Sequence, residues 1–300
     1  MPRGSPFTQM CRQIAEARFG PTADLHAHTT ASDGDWSPSQ LAMEARRVNL
    51  KFLAVTDHDT IAGVQPAMQA AVGSRLTVIP GVEYSAEFAE RELHVVGLWI
   101  DPHSQPLLDA LAEVQHRRRV RFRALVEALA AGGVHFIPGL VEAKMAAHAS
   151  IGRRHLGLLL VQTNQAANVR DAFQRFIQPA TAAIEVHHRT PLKQVCETIH
   201  AAGGIAILAH PPGTFGESEL LDLQQLGIDG VECHFGRADP SRTSELRALA
   251  AKLNLMVSGG SDCHGPEPAD RRVGTFGLKS TDTDALIAHA SGSARSPSSR

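Results

Sequence analysis

Histidine and acidic residues follow the ends of short apolar segments along most of this 300-residue chain. Apolar runs of about four to eight residues predict buried β-strands. They occur at 23–28, 51–55, 76–79, 93–100, 204–209, 230–233 and 255–258. Helical patterns with proline near their starts separate several of these segments, at Pro38, Pro191 and Pro240. This alternation predicts an α/β fold whose parallel strands bring their polar carboxyl ends to one edge.

The segment at 93–100 is expected to run antiparallel to the strand before it. Too few residues separate the two for a helical crossover, which a parallel neighbour would require. An antiparallel return would bring the beginning of this segment back towards the end of the preceding strand. His94 is therefore expected to lie near Glu83.

The chain divides into four predicted parts. Residues 101–185 contain helical patterns without a strand pattern and are predicted to form an inserted helical cap. The barrel is then discontinuous, comprising residues 23–100 and 186–290. Residues 1–22 are expected to be a loose leader, and residues 291–300, rich in Ser, Pro and Arg, a disordered tail.

Composition argues against several functional classes. A formal net charge of −2 gives no overall electrostatic attraction to duplex DNA or to an anionic membrane. The four cysteines form no C-x-x-C pair, which favours a reducing compartment. The sequence contains neither an apolar run of about 18 residues nor an apolar signal segment near its start. A cytoplasmic protein without membrane contact is therefore expected.

His26 and His28 stand two positions apart on a predicted strand, so both side chains leave the same face and can bind one ion. Alone this spacing is weak evidence, because a pair of surface histidines would look the same. Further candidates strengthen the metal hypothesis, since burying many ionisable groups is costly unless ions hold them. These candidates are Asp33, Asp57, His58, Glu83, His94, His210, Asp262 and His264.

As a set, these motifs resemble those of the polymerase and histidinol phosphatase (PHP) family of metal-dependent phosphoesterases. L-H-x-H-T begins at Leu25, and S-D-G, T-D-H-D, G-V-E, A-H-P and G-S-D-x-H follow in the family's order. The resemblance covers about residues 24–265. It implies an α/β fold, a distorted, TIM-like seven-stranded β/α barrel that binds two or three divalent ions of the Mn, Zn or Fe type.

The resemblance also implies three groups of metal ligands. A first ion would be held by His26, His28, Glu83 and Asp262. A second would share Glu83 and be held also by His94 and His210. A third would be held by Asp33, His58 and His264.

The mechanism expected from such a centre uses a hydroxide shared between neighbouring ions, which also neutralise the phosphate oxygens. Glu83, Asp57 and His264 are the predicted catalytic residues. Asp57 is expected to orient His58 or another ligand rather than to bind metal. The acid that protonates the departing alkoxide is either a nearby side chain or a metal-bound water.

Within the family, the cap resembles the branch that removes phosphate from nucleoside 3′,5′-bisphosphates and trims RNA from its 5′ end. This resemblance rests on Gly152-Arg153-Arg154-His155, on F-x-x-F-I ending at Ile177, and on the run from Ala201 to Pro211. It implies substrate phosphate contacts for Arg153, His155, Arg118, Arg121 and His187. For the arginine-rich run at 117–123, a solvated helix face is the alternative.

Some residues depart from the pattern of this branch. Leu158 stands where an arginine is usual, and residues 180–182 read Ala-Thr-Ala in place of a Gly-Lys-Pro type segment, so the basic wall is thinner. His234 is either an extra ligand or acid, or a packed or solvated histidine. Cys263 is expected to be structural, because it should point away from its two neighbouring ligands.

Three functions are compatible with the sequence. The leading hypothesis is a metal-dependent phosphoesterase, a phosphatase or exonuclease, with a nucleotide or RNA-end substrate. A small-metabolite phosphatase, such as one acting on histidinol phosphate, is the second, and the helical cap disfavours it. A non-catalytic metal-binding or nucleotide-binding module is the third, and the presence of all nine ligand residues argues against it.

Overall fold

The computed structural model describes residues 21–184, 186, 188–236 and 238–293. At its centre is a mixed β-sheet whose main path contains the seven predicted strands. They are β1 (Ala23–Asp24), β2 (Phe52–Val55), β3 (Thr77–Phe88), β4 (Arg91–Leu98), β6 (Ile205–Leu208), β7 (Gly230–His234) and β8 (Met256–Gly259). A two-residue strand, β5 (Thr190–Pro191), pairs with β3 beside this path and was not predicted.

The helices lie between and around these strands. In chain order they are α1 (Pro38–Arg47), α2 (Val64–Ala71), α3 (Gln105–Ala131), α4 (Leu140–Ala147), α5 (Arg153–Gln162), α6 (Val169–Ala172), α7 (Gln178–Ala183), α8 (Leu192–Ala201), α9 (Glu217–Gln225), α10 (Pro240–Leu253) and α11 (Ser280–Ser293). A π-helix (Phe173–Ile177) joins α6 to α7, and a 3-10 helix (Ala269–Arg271) follows β8. Among the helices of the described residues, none combines the length and the apolar character that a membrane crossing requires.

Strand β4 is antiparallel to both of its neighbours, β3 and β6, whereas the other strand pairs are parallel. The predicted hairpin is thus confirmed, with His94 opposite Ser85. Its turn residues, Ala89 and Glu90, both have positive φ, 48° and 61°. A two-residue turn with this backbone matches the twist of antiparallel strands.

The sheet is nearly closed into a barrel. Beyond β1 the chain continues beside the segment that follows β8: Leu25 N donates to Gly259 O at 3.2 Å, and His28 N donates to Cys263 O at 2.8 Å. The buried Asp24 carboxylate reinforces this seam, because it accepts hydrogen bonds from the backbone N–H groups of Ser261 and Gly274. The first and last strands of the path are therefore joined through residues next to the predicted ligands.

The interior of the barrel is filled with apolar side chains beneath these ligands. Ala54 and Ile79 are register partners, and they belong to one buried cluster with Val96 and Ile207, which are also partners. Val96 is in turn the register partner of Glu83, so that carboxylate projects on the same face as the cluster. Packed apolar side chains thus fill the barrel below the site and exclude water there.

Between β4 and β5, the described residues contain helices and no strand. These helices bury their own apolar cluster, which includes Phe122 and Leu125 of α3, Leu156 of α5 and Ile177. A cluster separate from that of the barrel agrees with an inserted cap, whose boundaries at residues 101 and 185 stay a prediction.

The ends of the chain differ in part from the expectation. Thr22, at the end of the predicted leader, is held by the sheet, since its N–H donates to Leu278 O at 2.8 Å. Helix α11 runs to Ser293, past the predicted start of the tail at residue 291. Residues 1–20 and 294–300, which make up the rest of both predicted segments, lie outside the described part of the chain.

Candidate metal centre

The structure brings the nine predicted ligand residues together at the carboxyl ends of the barrel strands. His26 and His28 come from the continuation of β1, and His58 follows β2. Glu83 and His94 face each other across the β3–β4 hairpin. The remaining members, which follow β1, β6 or β8 in the chain, are Asp33, His210, Asp262 and His264.

Glu83 is the centre of this cluster, and its carboxylate is fully buried. One oxygen, Oε2, lies 2.9 Å from His58 Nδ1, 3.2 Å from His28 Nε2 and 3.3 Å from His26 Nε2. The other oxygen, Oε1, lies 2.8 Å from His94 Nδ1 and 3.0 Å from His210 Nε2. The two oxygens therefore face two different sets of imidazoles.

Three groups of ligand atoms lie close enough to share an ion, each within 4.8 Å. One group is His26, His28, Glu83 and Asp262. A second is His58, Glu83 and His94, and a third is His28, Asp33, His58 and His264. The first is the predicted set. The others differ from the predicted sets, because His28 joins the Asp33 group and His58 takes the place of His210 beside His94.

The chemistry of the cluster fits bound divalent ions. Six of its buried atoms have no hydrogen-bond partner: His26 Nε2, both ring nitrogens of His28, Asp33 Oδ1, His58 Nδ1 and Glu83 Oε2. Buried polar atoms in native proteins nearly always have a partner, so these atoms require an explanation. Mixed imidazole and carboxylate donors suit Mn, Zn or Fe better than the all-oxygen surroundings preferred by Ca or Mg.

Proton binding shows how strongly the carboxylates attract positive charge. Burial disfavours the charged imidazole of His28, but Asp262 and Glu83 outweigh it and raise its pKa to about 9. Burial is likewise outweighed at His94, where Glu83 and Glu92 raise the pKa to about 10. Conversely, the surrounding imidazoles hold the pKa of the Glu83 carboxyl well below its usual range, although burial acts against this. The buried carboxylates therefore favour positive charge on the imidazoles around them.

Two ligand residues have backbone conformations that non-glycine residues rarely adopt. His210 has a φ of 29° and Asp262 a φ of 51°. Such conformations are strained and persist where surrounding contacts hold them, often at functional sites. Asp262 is held in part by its N–H, which donates to His26 O at 2.9 Å.

Asp57 does not line the pocket, and its predicted catalytic role stays a prediction. Its buried carboxylate accepts hydrogen bonds from the N–H and hydroxyl of Thr29, both at 2.7 Å. It also accepts from the N–H of Ser32 at 3.2 Å and from its hydroxyl at 2.6 Å. These contacts fix the loop that carries Asp33, so Asp57 supports a ligand through the backbone rather than by contacting His58.

A pocket of about 380 Å³ opens above the cluster. Side chains of the cap and of neighbouring loops form its basic wall: Arg118, Arg121, Arg153, Arg154, His188 and Arg271. Glu92 also lines the pocket, and its carboxylate lies 3.1 Å from Arg153 NH2. The pocket is thus lined both by the imidazoles and carboxylates of the cluster and by guanidinium groups.

Arg118 and Arg121, both predicted phosphate contacts, differ in how they are engaged. Arg118 donates to Asp59 at 2.5 Å and to Ser85 Oγ at 2.8 Å, which ties α3 to the barrel. Arg121 has a buried Nε without a partner and one contact with His188 Nδ1 at 3.2 Å. Burial and nearby arginines lower the pKa of Arg121 to about 10. Arg121 therefore has an N–H group left to bind an anion. The guanidinium group of Arg118, by contrast, is already engaged by Asp59 and Ser85.

His155 does not line the pocket, and its predicted phosphate contact stays a prediction. Its Nδ1 accepts from Gly152 N at 3.1 Å, and its Nε2 donates to Ser32 O at 2.8 Å. Burial lowers its pKa to about 4, so the ring is neutral and both nitrogens have structural partners. His187, another predicted phosphate contact, lies outside the described residues.

Several residues near the site were not predicted from the sequence. Glu92 stands two positions before His94 on β4, a spacing that places both side chains on one face. Arg271 donates to the carboxylate of Asp262, and Glu232 contacts His26. Alternation along a strand was the available signal for Glu92, whereas Arg271 ends a 3-10 helix of three residues, which is too short to carry a periodic signal.

His234 and Cys263 lie apart from the cluster. His234 Nε2 is 3.1 Å from Arg247 NH1, and His234 belongs to none of the three ligand groups found among the described residues. Cys263 is fully buried and packs in the apolar cluster beneath α1 and α2, as its predicted orientation requires.

Metal affinity should rise with pH, because imidazoles must lose their protons to bind an ion. With the pKa of His28 raised to about 9 and that of His94 to about 10, protons compete with metal across the neutral range. We expect Mn²⁺ to bind more tightly at about pH 8 than at about pH 6, with proton release. Calorimetry in buffers of different ionisation enthalpy measures both quantities. Equal affinity at the two pH values, without released protons, would contradict this assignment.

Comparison with known proteins agrees with this arrangement. The chain is 32% identical over 265 residues to the 5′-3′ exoribonuclease Rnm of Escherichia coli, covering 85% of this chain and 89% of the relative. It is 30% identical over 259 residues to the 3′,5′-nucleoside bisphosphate phosphatase of Chromobacterium violaceum, with coverages of 84% and 90%.

The fold also matches a solved structure from Bifidobacterium adolescentis, of a protein provisionally named a metal-dependent phosphoesterase. The TM-score is 0.77 at 25% identity, over 89% of this chain and 96% of the other. The PHP domain family profile matches residues 24–225. With two thirds of its length matched to that profile, the chain belongs to the PHP domain family.

Proposed function

We propose that this protein, a metal-dependent phosphoesterase, hydrolyses phosphate esters at the ends of nucleotides. Its substrates are nucleoside 3′,5′-bisphosphates, which lose the 3′-phosphate, RNA 5′ ends, which are trimmed, or both. The observation that supports this most directly is the pocket whose lining combines ligands of the metal-binding cluster with guanidinium groups. The names of the two relatives, an exoribonuclease and a bisphosphate phosphatase, support the same substrate class.

Two or three divalent ions of the Mn, Zn or Fe type would be held by the three ligand groups. Bound ions of this kind lower the pKa of water towards about 7 and neutralise phosphate oxygens. Glu83 would join two of the groups, since its two oxygens face separate sets of imidazoles. Asp57 would keep the Asp33 loop in place while substrate enters and leaves.

The cap would bind and orient the substrate through charge. Guanidinium groups offer paired N–H donors that match phosphate oxygens. Arg121, with its unpartnered Nε, and Arg153, which is about one third exposed, are the groups best placed to do so. Arg118 would hold α3 against the barrel, so that Arg121 and Arg153 stay at a fixed distance from the metal-binding cluster.

The size of the pocket agrees with a small ligand. A volume of about 380 Å³ lies within the range of small-molecule sites. A nucleoside bisphosphate would fit largely inside, whereas an RNA chain would insert its terminal nucleotide and leave the remainder outside. Either substrate would present a phosphate ester to the same cluster.

Phosphate release tests this proposal. With Mn²⁺ added, we expect the protein to release phosphate from adenosine 3′,5′-bisphosphate, to shorten a 5′-phosphorylated RNA oligonucleotide, or to do both. We expect histidinol phosphate to remain intact. Colorimetric phosphate detection and gel electrophoresis measure the products. Turnover of histidinol phosphate alone would instead support a small-metabolite phosphatase, and inactivity with metal bound would support a non-catalytic module.

Glu83→Gln should lower kcat by at least about 100-fold, because the proposed bridge between two ions loses its charge. The measurement is steady-state turnover of the bisphosphate at saturating Mn²⁺. Glu87→Gln is the matched control, since Glu87 lies on the same strand with its side chain 38% exposed and outside the ligand groups. An unchanged kcat for the Glu83 variant would show that the bridging role is wrong.

Arg121→Ala should raise KM for the bisphosphate about 10-fold or more, because a charge-assisted hydrogen bond of roughly 1.5–3 kcal/mol is lost. Mn²⁺ affinity should not change, since the arginine contacts none of the nine ligands by hydrogen bond. Arg123→Ala, an exposed position on the same helix, is the control. Equal KM values for the two variants would remove Arg121 from the substrate site.

A further inference from the structure

We propose that Glu232 is a positioning residue that orients two of the ligand histidines, His26 and His210, towards the metal cluster. Glu232 is not one of the nine predicted ligands, and it belongs to none of the three ligand groups. The inference depends on metal binding at this site, which is part of the proposed function, but not on the identity of the substrate.

The position of Glu232 follows from strand alternation. It lies in the middle of β7, where its neighbours Val231 and Cys233 both pack in the apolar core outside the barrel. Successive side chains on a strand leave opposite faces, so Glu232 points into the barrel. It is 1% exposed, and within the described part of the chain it forms an ion pair with His26. Burying such a carboxylate is costly unless it serves the cluster.

The first contact fixes the His26 ring. Glu232 Oε1 lies 3.0 Å from His26 Nδ1, and a carboxylate oxygen can only accept, so Nδ1 carries the proton. In the neutral ring, Nε2 then holds the lone pair that binds metal. This is the atom that lacks a hydrogen-bond partner, 3.3 Å from Glu83 Oε2 and 3.7 Å from Asp262 Oδ1. Glu232 therefore selects the tautomer whose free nitrogen faces the cluster.

The second contact fixes the backbone at His210. Glu232 Oε2 accepts from His210 N at 2.6 Å, at a residue with the strained φ of 29°. In that conformation His210 Nε2 lies 3.0 Å from Glu83 Oε1 and 3.3 Å from His94 Nδ1. One carboxylate thus holds a ligand on each side of Glu83, since His26 lies at Oε2 and His210 at Oε1.

Zn²⁺ affinity tests this role without reference to turnover. In Glu232→Gln, only the amide oxygen can accept, so at least one of the two hydrogen bonds that the carboxylate accepts is lost, and an amide N–H donated to His26 Nδ1 would favour the opposite tautomer. We expect affinity to fall about 10–100-fold, the usual effect of removing such a supporting partner. Competition with a chromophoric chelator measures it. Glu232→Asp keeps the charge with a shorter reach, and its affinity should lie between those of the Gln variant and the natural protein.

The chain offers a matched control at the opposite end of β7. Asp229 accepts from Ala206 N at 2.7 Å and contacts His200 Nε2 at 2.7 Å, so it too joins one backbone N–H to one imidazole. It precedes β7, away from the ligand cluster. Asp229→Asn should lower the thermal unfolding temperature and leave Zn²⁺ affinity unchanged. An equal loss of affinity in both variants would mean that Glu232 acts through general stability and would overturn the proposal.

Nitrogen NMR of the Zn²⁺-loaded natural protein gives a second measurement that needs no variant. The proposal requires His26 to carry its proton on Nδ1 and to bind metal through Nε2. A proton on Nε2 and metal on Nδ1 would overturn the proposal, and this result does not depend on whether Glu232→Gln folds. Unchanged Zn²⁺ affinity in a folded Glu232→Gln variant would also overturn it. Intact Zn²⁺ binding with no hydrolysis of nucleotides would refute the proposed function while leaving this role in place.

Discussion

The attraction between one buried carboxylate and the imidazoles around it is the constraint on which this structure depends. Glu83 meets five histidine rings that come from four separate parts of the barrel, all within 3.3 Å of its two oxygens. These groups can be buried together only because opposite charges and cations compensate for lost hydration. The barrel seam runs through the same residues, since Asp262 N donates to His26 O and His28 N to Cys263 O. The hydrogen bonds that close the sheet are therefore made by the ligand residues and their neighbours.

The cap is anchored to the part of the barrel that carries ligands. Arg154 donates to Asp33 O and to Asp35, His155 donates to Ser32 O, and Ser150 N donates to Ala31 O. These contacts converge on the loop that Asp57 fixes from below. The loop is therefore held from both sides, which keeps the basic wall of the pocket in register with the metal-binding cluster.

Much of the fold could be predicted from the sequence, because the strands of the main path are apolar runs and the hairpin at His94 follows from a short connection. The ligand positions followed from motifs, and the structure brings them together. Strand β5 was missed because two residues carry no periodicity. The partners of the His155 ring nitrogens, Gly152 and Ser32, were not predicted, because they depend on where the cap meets the loop and a motif position carries no information about this.

The overlap between the three ligand groups has a consequence for how the centre fills. Glu83, His28 and His58 each belong to two groups, so three ions would share some of their ligand residues. Cations a few ångströms apart also repel one another. The ions would then bind one after another, each with a lower affinity than the ion before it. The number of ions that the centre holds at once would then depend on how Glu83, His28 and His58 are divided between the groups.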